Sequence, residues 1–100
     1  MIAVTSTGAG RVTAVVTGDI DIVSGPHLAA SLAAAIADHR PEALVLDVSG
    51  VAFLDAAGMT ALIRTRRRAG HVDLSLANAR PMVVRVLTIA GLLDLLRSPG

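Results

Sequence analysis

The chain has 100 residues, of which 53% are hydrophobic and 17% charged, and its formal net charge is +1. This length suits one domain with one modest core, and the high hydrophobic content excludes an intrinsically disordered chain. Cysteine is absent and Phe53 is the only aromatic residue. Disulfides, thiolate catalysis, cysteine-ligated zinc and aromatic stacking on bases are therefore excluded, and we expect a single domain over residues 1–100.

The first half of the chain predicts a β-hairpin and then a helix. Residues 2–6 alternate loosely between apolar and polar, TGAG supplies a turn, and RVTAVVTG continues as the second strand. From Leu28 to about Arg40 the apolar residues recur at helical spacing. Ser24 or Gly25 is expected to cap this helix at its N-terminus.

The second half predicts two strands that alternate with two helices. Residues 43–48 (ALVLDV) form a nearly continuous hydrophobic run, typical of a strand that is buried on both faces. A helix is expected over residues 56–69, a strand over 72–77 and a third helix over 81–91. Residues 92–96 read as a short amphipathic tail.

The order β-β-α-β-α-β-α predicts an α/β sandwich with a mixed sheet whose central strands are parallel. Right-handed crossovers place the strand at residues 43–48 in the middle of that sheet. Its carboxyl end leads into the loop SGVAFLDAAG. Because ligands and partners of open α/β sheets bind at this edge, the loop is the first candidate for function.

The acidic residues near this edge can be interpreted either as a ligand site or as structural residues. Four aspartates are expected there: Asp19, Asp21, Asp47 and Asp55. Together they could hold a magnesium ion or accept a phosphoryl group. Alternatively, Asp55 caps the second helix, and Asp47 braces the loop by accepting from the N–H of Ser49 or Gly50. We favour the second reading and expect no metal, because no lysine or further carboxylate completes such a site.

Catalytic motifs are missing from the chain. The three histidines, His27, His39 and His71, are far apart, and neither a G-x-S-x-G elbow nor a phosphate-binding loop is present. We therefore expect neither an enzyme nor a cofactor.

The arginines at positions 64–68 form the only charge cluster. Helical spacing places Arg64, Arg67 and Arg68 on the outer face, while Arg66 projects toward the apolar stripe and should extend to solvent near the helix end. With a net charge of +1, this cluster predicts a solvated helix face and no direct nucleic-acid binding.

Targeting signals are not visible. No apolar run approaches the roughly 18 residues that a membrane span needs. The first eleven residues lack the charged start and apolar block of a secretory signal. We expect a cytoplasmic protein without membrane insertion.

Several motifs in the same order resemble the STAS domain, the fold of anti-sigma factor antagonists. TGDIDIVSGPHL resembles the family's G-E-[IL]-D segment, and LVLDVSGVAFLDAAGMTALI is similar to its L-D-[LM]-S-x-[VL]-x-[FY]-[LM]-D-S-S-G-[LI] strand and loop. RRAG and VVRVLTIAGL echo the end of the second helix and the third helix. The resemblance covers nearly the whole chain and implies a STAS-like sandwich with helices on one face of the sheet.

The resemblance also implies a function based on partner switching. Family members bind an anti-sigma factor that is also a serine kinase, which frees the sigma factor, and that kinase phosphorylates the second serine of D-S-S-G. Ala57 matches this serine and Ala56 the first one, and neither has a hydroxyl group. The implied protein is an anti-sigma factor antagonist that serine phosphorylation does not switch off.

The expected partner surface combines the matched motif with its neighbours on the second helix. It comprises Asp21, Asp55, Ala56, Ala57, Gly58, Thr60, Ala61 and Arg64. Asp21 should lie beside the start of that helix and, as an exposed charge, should affect binding with little effect on stability. The alternative function is a STAS accessory subunit of an ABC-type lipid-trafficking transporter. Whether the chain also forms a homodimer stays open.

Overall fold

The computed structural model describes residues 2–8 and 10–91, except for the side chains of residues 6 and 7. Its elements are β1 (Ile2–Gly8), β2 (Arg11–Thr17), α1 (Ser24–His39), β3 (Ala43–Gly50), α2 (Ala56–Ala69), β4 (Asp73–Ala77) and α3 (Pro81–Ile89). This order is the predicted one. The predicted tail at residues 92–96 lies outside the described residues.

The four strands form one mixed sheet in the order β1-β2-β3-β4. The β1–β2 pair is the predicted antiparallel hairpin, whereas β2–β3 and β3–β4 are parallel. Each parallel crossover therefore moves one strand further in the same direction. Because such crossovers are right-handed, α1 and α2 lie on the same face of the sheet, where they contact each other. The predicted α/β class with an interior β3 is confirmed.

The core lies between this face of the sheet and the helices. In β3, Leu44, Leu46 and Val48 are buried, but Val45 and Asp47 on the opposite face are only half-buried. The prediction that β3 is buried on both faces was therefore wrong. The hydrophobic run of β3 is nearly continuous although the described helices cover only one face of the sheet.

Helix α1 begins earlier than its apolar spacing indicates, and it is capped differently. Val23 occupies the N-cap in a right-handed helical conformation with no side-chain bond of its own, so neither Ser24 nor Gly25 is the cap. Instead, the Asp21 carboxylate accepts hydrogen bonds from the N–H groups of Val23 and Ser24, each at 2.9 Å. The acceptor lies upstream of the helix, where the apolar pattern carries no signal.

Arg66 is buried rather than extended to solvent. Only 4% of the residue is exposed, and its guanidinium donates to the carbonyl oxygens of Gly70 at 2.6 Å and Val72 at 2.8 Å. These carbonyls belong to the turn between α2 and β4. Arg66 thus satisfies the carbonyl of buried Val72 as well as that of exposed Gly70, and it ties the end of α2 to the start of β4.

Replacing Arg66 by methionine should lower the free energy of unfolding by about 2 kcal/mol, because the buried Val72 carbonyl loses a charged donor while the apolar stem is retained. Arg67→Met is the matched control on the exposed face and should change stability by less than about 0.5 kcal/mol. Urea unfolding of both variants measures the difference. Equal stability of Arg66→Met and wild type would show that these hydrogen bonds contribute nothing.

Candidate protein-binding surface

The loop before α1 is joined to the loop before α2 by backbone contacts. Ile20 donates its N–H to the carbonyl oxygen of Phe53 at 2.9 Å and accepts from the N–H of Asp55 at 3.3 Å. Ile20 and Leu54 also form a short parallel bridge. Asp21 therefore lies beside the start of α2, as the sequence predicts.

Gly58 makes this junction possible, and its role is internal. The residue is buried, and a Cβ atom built on it would lie 2.6 Å from Leu54 Cδ1 and 2.9 Å from the Ile20 carbonyl carbon. Real side-chain carbons do not approach backbone this closely. Gly58 is needed so that the Ile20 backbone can pack against the first turn of α2, and its contact with a partner stays a prediction.

Asp55 caps α2, as predicted from the sequence. Its extended backbone precedes the first turn, and its Oδ1 accepts from the N–H of Gly58 at 2.9 Å. At the start of the helix, Ala56 is exposed and Ala57 is half-buried. Among the described residues, no three histidine, aspartate or glutamate side chains lie close enough together to hold a metal ion.

Asp21 has more local bonds than an exposed charge would have. Its Oδ1 accepts from the N–H groups of Val23 and Ser24, and the N–H of Asp21 donates to the Ser24 hydroxyl oxygen. The Ser24 hydroxyl in turn donates to the carbonyl oxygen of Asp19 at 2.6 Å. The backbone N–H of Ser24, followed by that of Val23, holds the pKa of the Asp21 carboxyl below its ordinary value. Asp21 thus shapes the turn as well as the surface, and we expect its loss to affect stability.

Asp47 braces the neighbouring loop in the predicted way. Its Oδ1 accepts from the N–H of Ser49 at 3.0 Å, and its Oδ2 accepts from the Asn78 amide at 3.3 Å. The pKa of Asp47 is lowered mainly by the Ser49 N–H. These bonds fasten the carboxyl end of β3 to the segment that follows β4.

A groove between α1 and α2 is the central feature of this surface. It encloses about 240 Å³ and is lined by Ile22, Gly25, Pro26, Ala29, Ala57, Thr60, Ala61 and Arg64. The helices approach closely along its floor, since a Cβ atom on Gly25 would lie 3.3 Å from the Cβ of Ala61. Ala61 is buried and therefore contributes to the floor of the groove.

The α1 side of the groove was missed by sequence reasoning. Gly25 and Ala29 lie four residues apart, so they occupy the same face of α1 as small residues. They stand opposite Ala57 and Ala61, which are also four residues apart on α2. The signal was present in the sequence, but only the tertiary pairing of α1 with α2 shows that the two small faces meet.

Large apolar side chains are exposed just before α1 and α2. Ile22 is 74% exposed, Val23 is 71% exposed and Phe53 is 46% exposed. All three belong to the two loops that Ile20 joins. Apolar residues grouped at one edge of a domain are typical of a protein-interaction site.

A second cavity, of about 310 Å³, lies on the other side of α1. Its lining comprises Ile2, Val16, Thr17, Asp19, Ile20, Val23, Ser24, His27, Leu28 and Ser31. None of the predicted contact residues belongs to it. The α1–α2 groove, in contrast, is lined by four of the eight predicted contact residues, Ala57, Thr60, Ala61 and Arg64.

Thr60 and the arginines complete the exposed face of α2. The Thr60 hydroxyl donates to the carbonyl oxygen of Ala56 at 3.1 Å, so its proton is already used inside the helix. Arg64, Arg67 and Arg68 are exposed, and none of their side chains has an ion pair or hydrogen bond within residues 2–8 and 10–91. This face thus offers unpaired positive charge beside a mainly apolar groove.

The family model described as "STAS domain" matches residues 3–99 of this sequence. The chain belongs to the STAS domain family. No sequence among functionally curated proteins is similar enough to match. No helix of the described part of this STAS domain combines the length and apolar character that crossing a membrane requires.

Three solved structures have a similar fold. An anti-sigma factor antagonist from Mycobacterium paratuberculosis is 31% identical, with a TM-score of 0.81 over 92% of this chain and 78% of its own. The antagonist SpoIIAA in its unphosphorylated form is 18% identical, with a TM-score of 0.75 over 95% of this chain and 84% of its own. A sulfate transporter family protein from Wolinella succinogenes is 20% identical, with a TM-score of 0.75 over 92% and 75%. The latter two likenesses show the fold alone.

Asp21→Asn should reduce stability at neutral pH but not at acid pH. Because the folded-state pKa of Asp21 lies below its ordinary value of 3.8, the charged carboxylate contributes stability above pH 3.8. This contribution is lost as the pH falls through the folded-state pKa, and the amide keeps an acceptor oxygen. Unfolding free energies of wild type and Asp21→Asn should therefore differ at pH 7 and converge below that pKa. Asp19→Asn is the control, and a gap independent of pH would contradict the assignment.

Proposed function

We propose that this STAS domain is an anti-sigma factor antagonist-like regulator that binds a serine-kinase anti-sigma factor and thereby frees a sigma factor. The proposal rests on Ala57, which lines the α1–α2 groove and which the family resemblance places at the phosphoacceptor serine. The 31% identity to an anti-sigma factor antagonist over most of the chain supports this class of partner. The chain acts by binding and has no catalytic step of its own.

Alanine at position 57 suits an antagonist without the usual off-switch. A phosphoryl group carries about −1.5 to −2 charges at pH 7 and three acceptor oxygens. The N-terminus of α2 would itself tolerate that charge, because the helix dipole favours anions there. The group would act on the interface, where it would add charge and bulk at the wall of a mainly apolar groove. Ala57 keeps the neutral surface and offers no hydroxyl to modify.

Thr60 is a poor replacement acceptor. It lies one turn further along α2, and its hydroxyl is bonded to the carbonyl oxygen of Ala56. A kinase that reaches position 57 would have to break this bond and act one turn deeper along the helix. We therefore infer that the antagonist stays active in the presence of its kinase partner.

The transporter alternative has weaker support. The likeness to a sulfate transporter family protein, at 20% identity, reports the shared fold. The likeness to an anti-sigma factor antagonist is higher both in identity and in TM-score. No feature of the described surface favours a transporter ATPase over an anti-sigma factor.

Substitutions at Ala57 test whether a partner packs against this position. Ala57→Ser should bind the cognate kinase-type anti-sigma factor within about threefold of wild type, since one hydroxyl adds little bulk and serine fits a first helical turn. Ala57→Glu should bind at least about 30-fold more weakly, or ~2 kcal/mol, because it buries an unpaired charge in the interface. Calorimetry with the purified anti-sigma factor measures both affinities.

The control for this experiment is Ala34→Glu, which places the same charge on an exposed alanine of α1 outside the groove. Glutamate in the first turn of α2 is locally favourable, so Ala57→Glu should remain folded. Equal affinity of wild type and Ala57→Glu would mean that the anti-sigma factor docks elsewhere. Failure of every kinase-type anti-sigma factor encoded in the same genome to bind wild type would overturn the proposed function.

A further inference from the structure

The size of the α1–α2 groove limits what it can hold. Its volume of about 240 Å³ falls below the roughly 300–1,000 Å³ that is typical of small-molecule sites. A single large side chain of another protein fits such a space better than a free ligand does. The groove is also open to solvent, so a protein surface can reach it.

The lining of the groove selects an apolar side chain. Ile22 and Pro26 stand on the α1 side, and Ala57 and Ala61 on the α2 side, with no hydrogen-bonding side-chain group among them. Thr60 also lines the groove, but its hydroxyl donates to the carbonyl oxygen of Ala56 within α2. Burial of apolar surface is therefore the main source of affinity that the groove can offer.

The two ends of the groove carry opposite charges. Helices α1 and α2 both start at the carboxyl edge of the sheet, so they run parallel and share their N-terminal end. The carboxylates of Asp21 and Asp55 lie at that end. Arg64 lines the groove two turns further along α2 and has no ion-pair partner among the described residues. One end is thus acidic and the other cationic.

From this arrangement we propose that the groove receives one large apolar side chain of the partner protein, and that Arg64 pairs with a carboxylate beside that side chain. The apolar anchor supplies affinity, and the guanidinium, which binds carboxylates with two parallel hydrogen bonds, sets the orientation of the bound segment. This inference rests on the proposed function, because it names the chemistry by which the anti-sigma factor is recognised. Arg67, one turn along and outside the groove, has no part in it.

Paired substitutions test both halves of the inference. Ala29→Trp fills the groove from α1, and its control is Ala30→Trp on the neighbouring exposed position of the same helix. Arg64→Glu reverses the groove charge, and its control is Arg67→Glu. Each variant is titrated by calorimetry against the purified kinase-type anti-sigma factor that binds wild type. We expect at least tenfold weaker binding for Ala29→Trp and Arg64→Glu, and changes within about twofold for the controls.

A rescue experiment identifies the carboxylate. Aspartates and glutamates on the docking surface of the anti-sigma factor are replaced singly by arginine and titrated against Arg64→Glu. One such replacement should restore the affinity at least fivefold, since it recreates the ion pair with reversed signs. Ala29→Leu serves as the milder groove-filling variant, and circular dichroism and thermal unfolding show that each variant is folded.

The outcomes separate this inference from the proposed function. If the anti-sigma factor binds wild type and all four variants equally, the groove is not its docking site and this inference fails, while the proposed function stands. Loss of binding in Arg64→Glu and Arg67→Glu alike would point to unspecific attraction and would also overturn it. Sedimentation showing that Ala29→Trp dissolves a homodimer but leaves the anti-sigma factor bound would assign the groove to a second copy instead. Binding of no anti-sigma factor to wild type would overturn both proposals.

Discussion

The close approach of the Ile20 backbone to the first turn of α2 determines how the functional surface is built. This contact requires glycine at position 58, since a Cβ atom there would lie 2.9 Å from the Ile20 carbonyl carbon. It brings the loop before α1 against the loop before α2, so the two helices start side by side. This arrangement places the carboxylates of Asp21 and Asp55 at one end of the α1–α2 groove. It also forms the groove itself and groups the exposed apolar residues of the two loops. A side chain at position 58 would separate these parts.

Two small residues at the start of α2 therefore differ in their surroundings. Gly58 faces inward and allows the internal contact, whereas Ala57 lines the groove and is the position against which we propose that a partner protein packs. The family resemblance places the phosphoacceptor serine at the position of Ala57. One substitution can thus retain the interface while it removes the chemistry that would regulate it. This is the physical basis of the proposed antagonist without an off-switch.

Local patterns predicted most of the fold, and tertiary contacts account for the rest. The hairpin, the bounds of α2 and the Asp55 cap follow from spacing and from residue preferences within a few positions. The start of α1 could not be predicted, because its acceptor, Asp21, lies upstream of the helical pattern. Burial of Arg66 depends on carbonyls in the turn after α2. The groove needs α1 and α2 to be placed side by side, which no single segment indicates.

The central claim is that this antagonist frees a sigma factor and continues to do so in the presence of the kinase and ATP. Its most direct test is a time course of sigma factor release from the purified anti-sigma factor–sigma factor complex with ATP, comparing wild type with Ala57→Ser. For wild type, release should persist and intact mass spectrometry should show no added phosphate. Release by Ala57→Ser should decline as the serine is phosphorylated. Stoichiometric phosphate on wild type, at Thr60 or elsewhere, together with a decline in release would contradict the account.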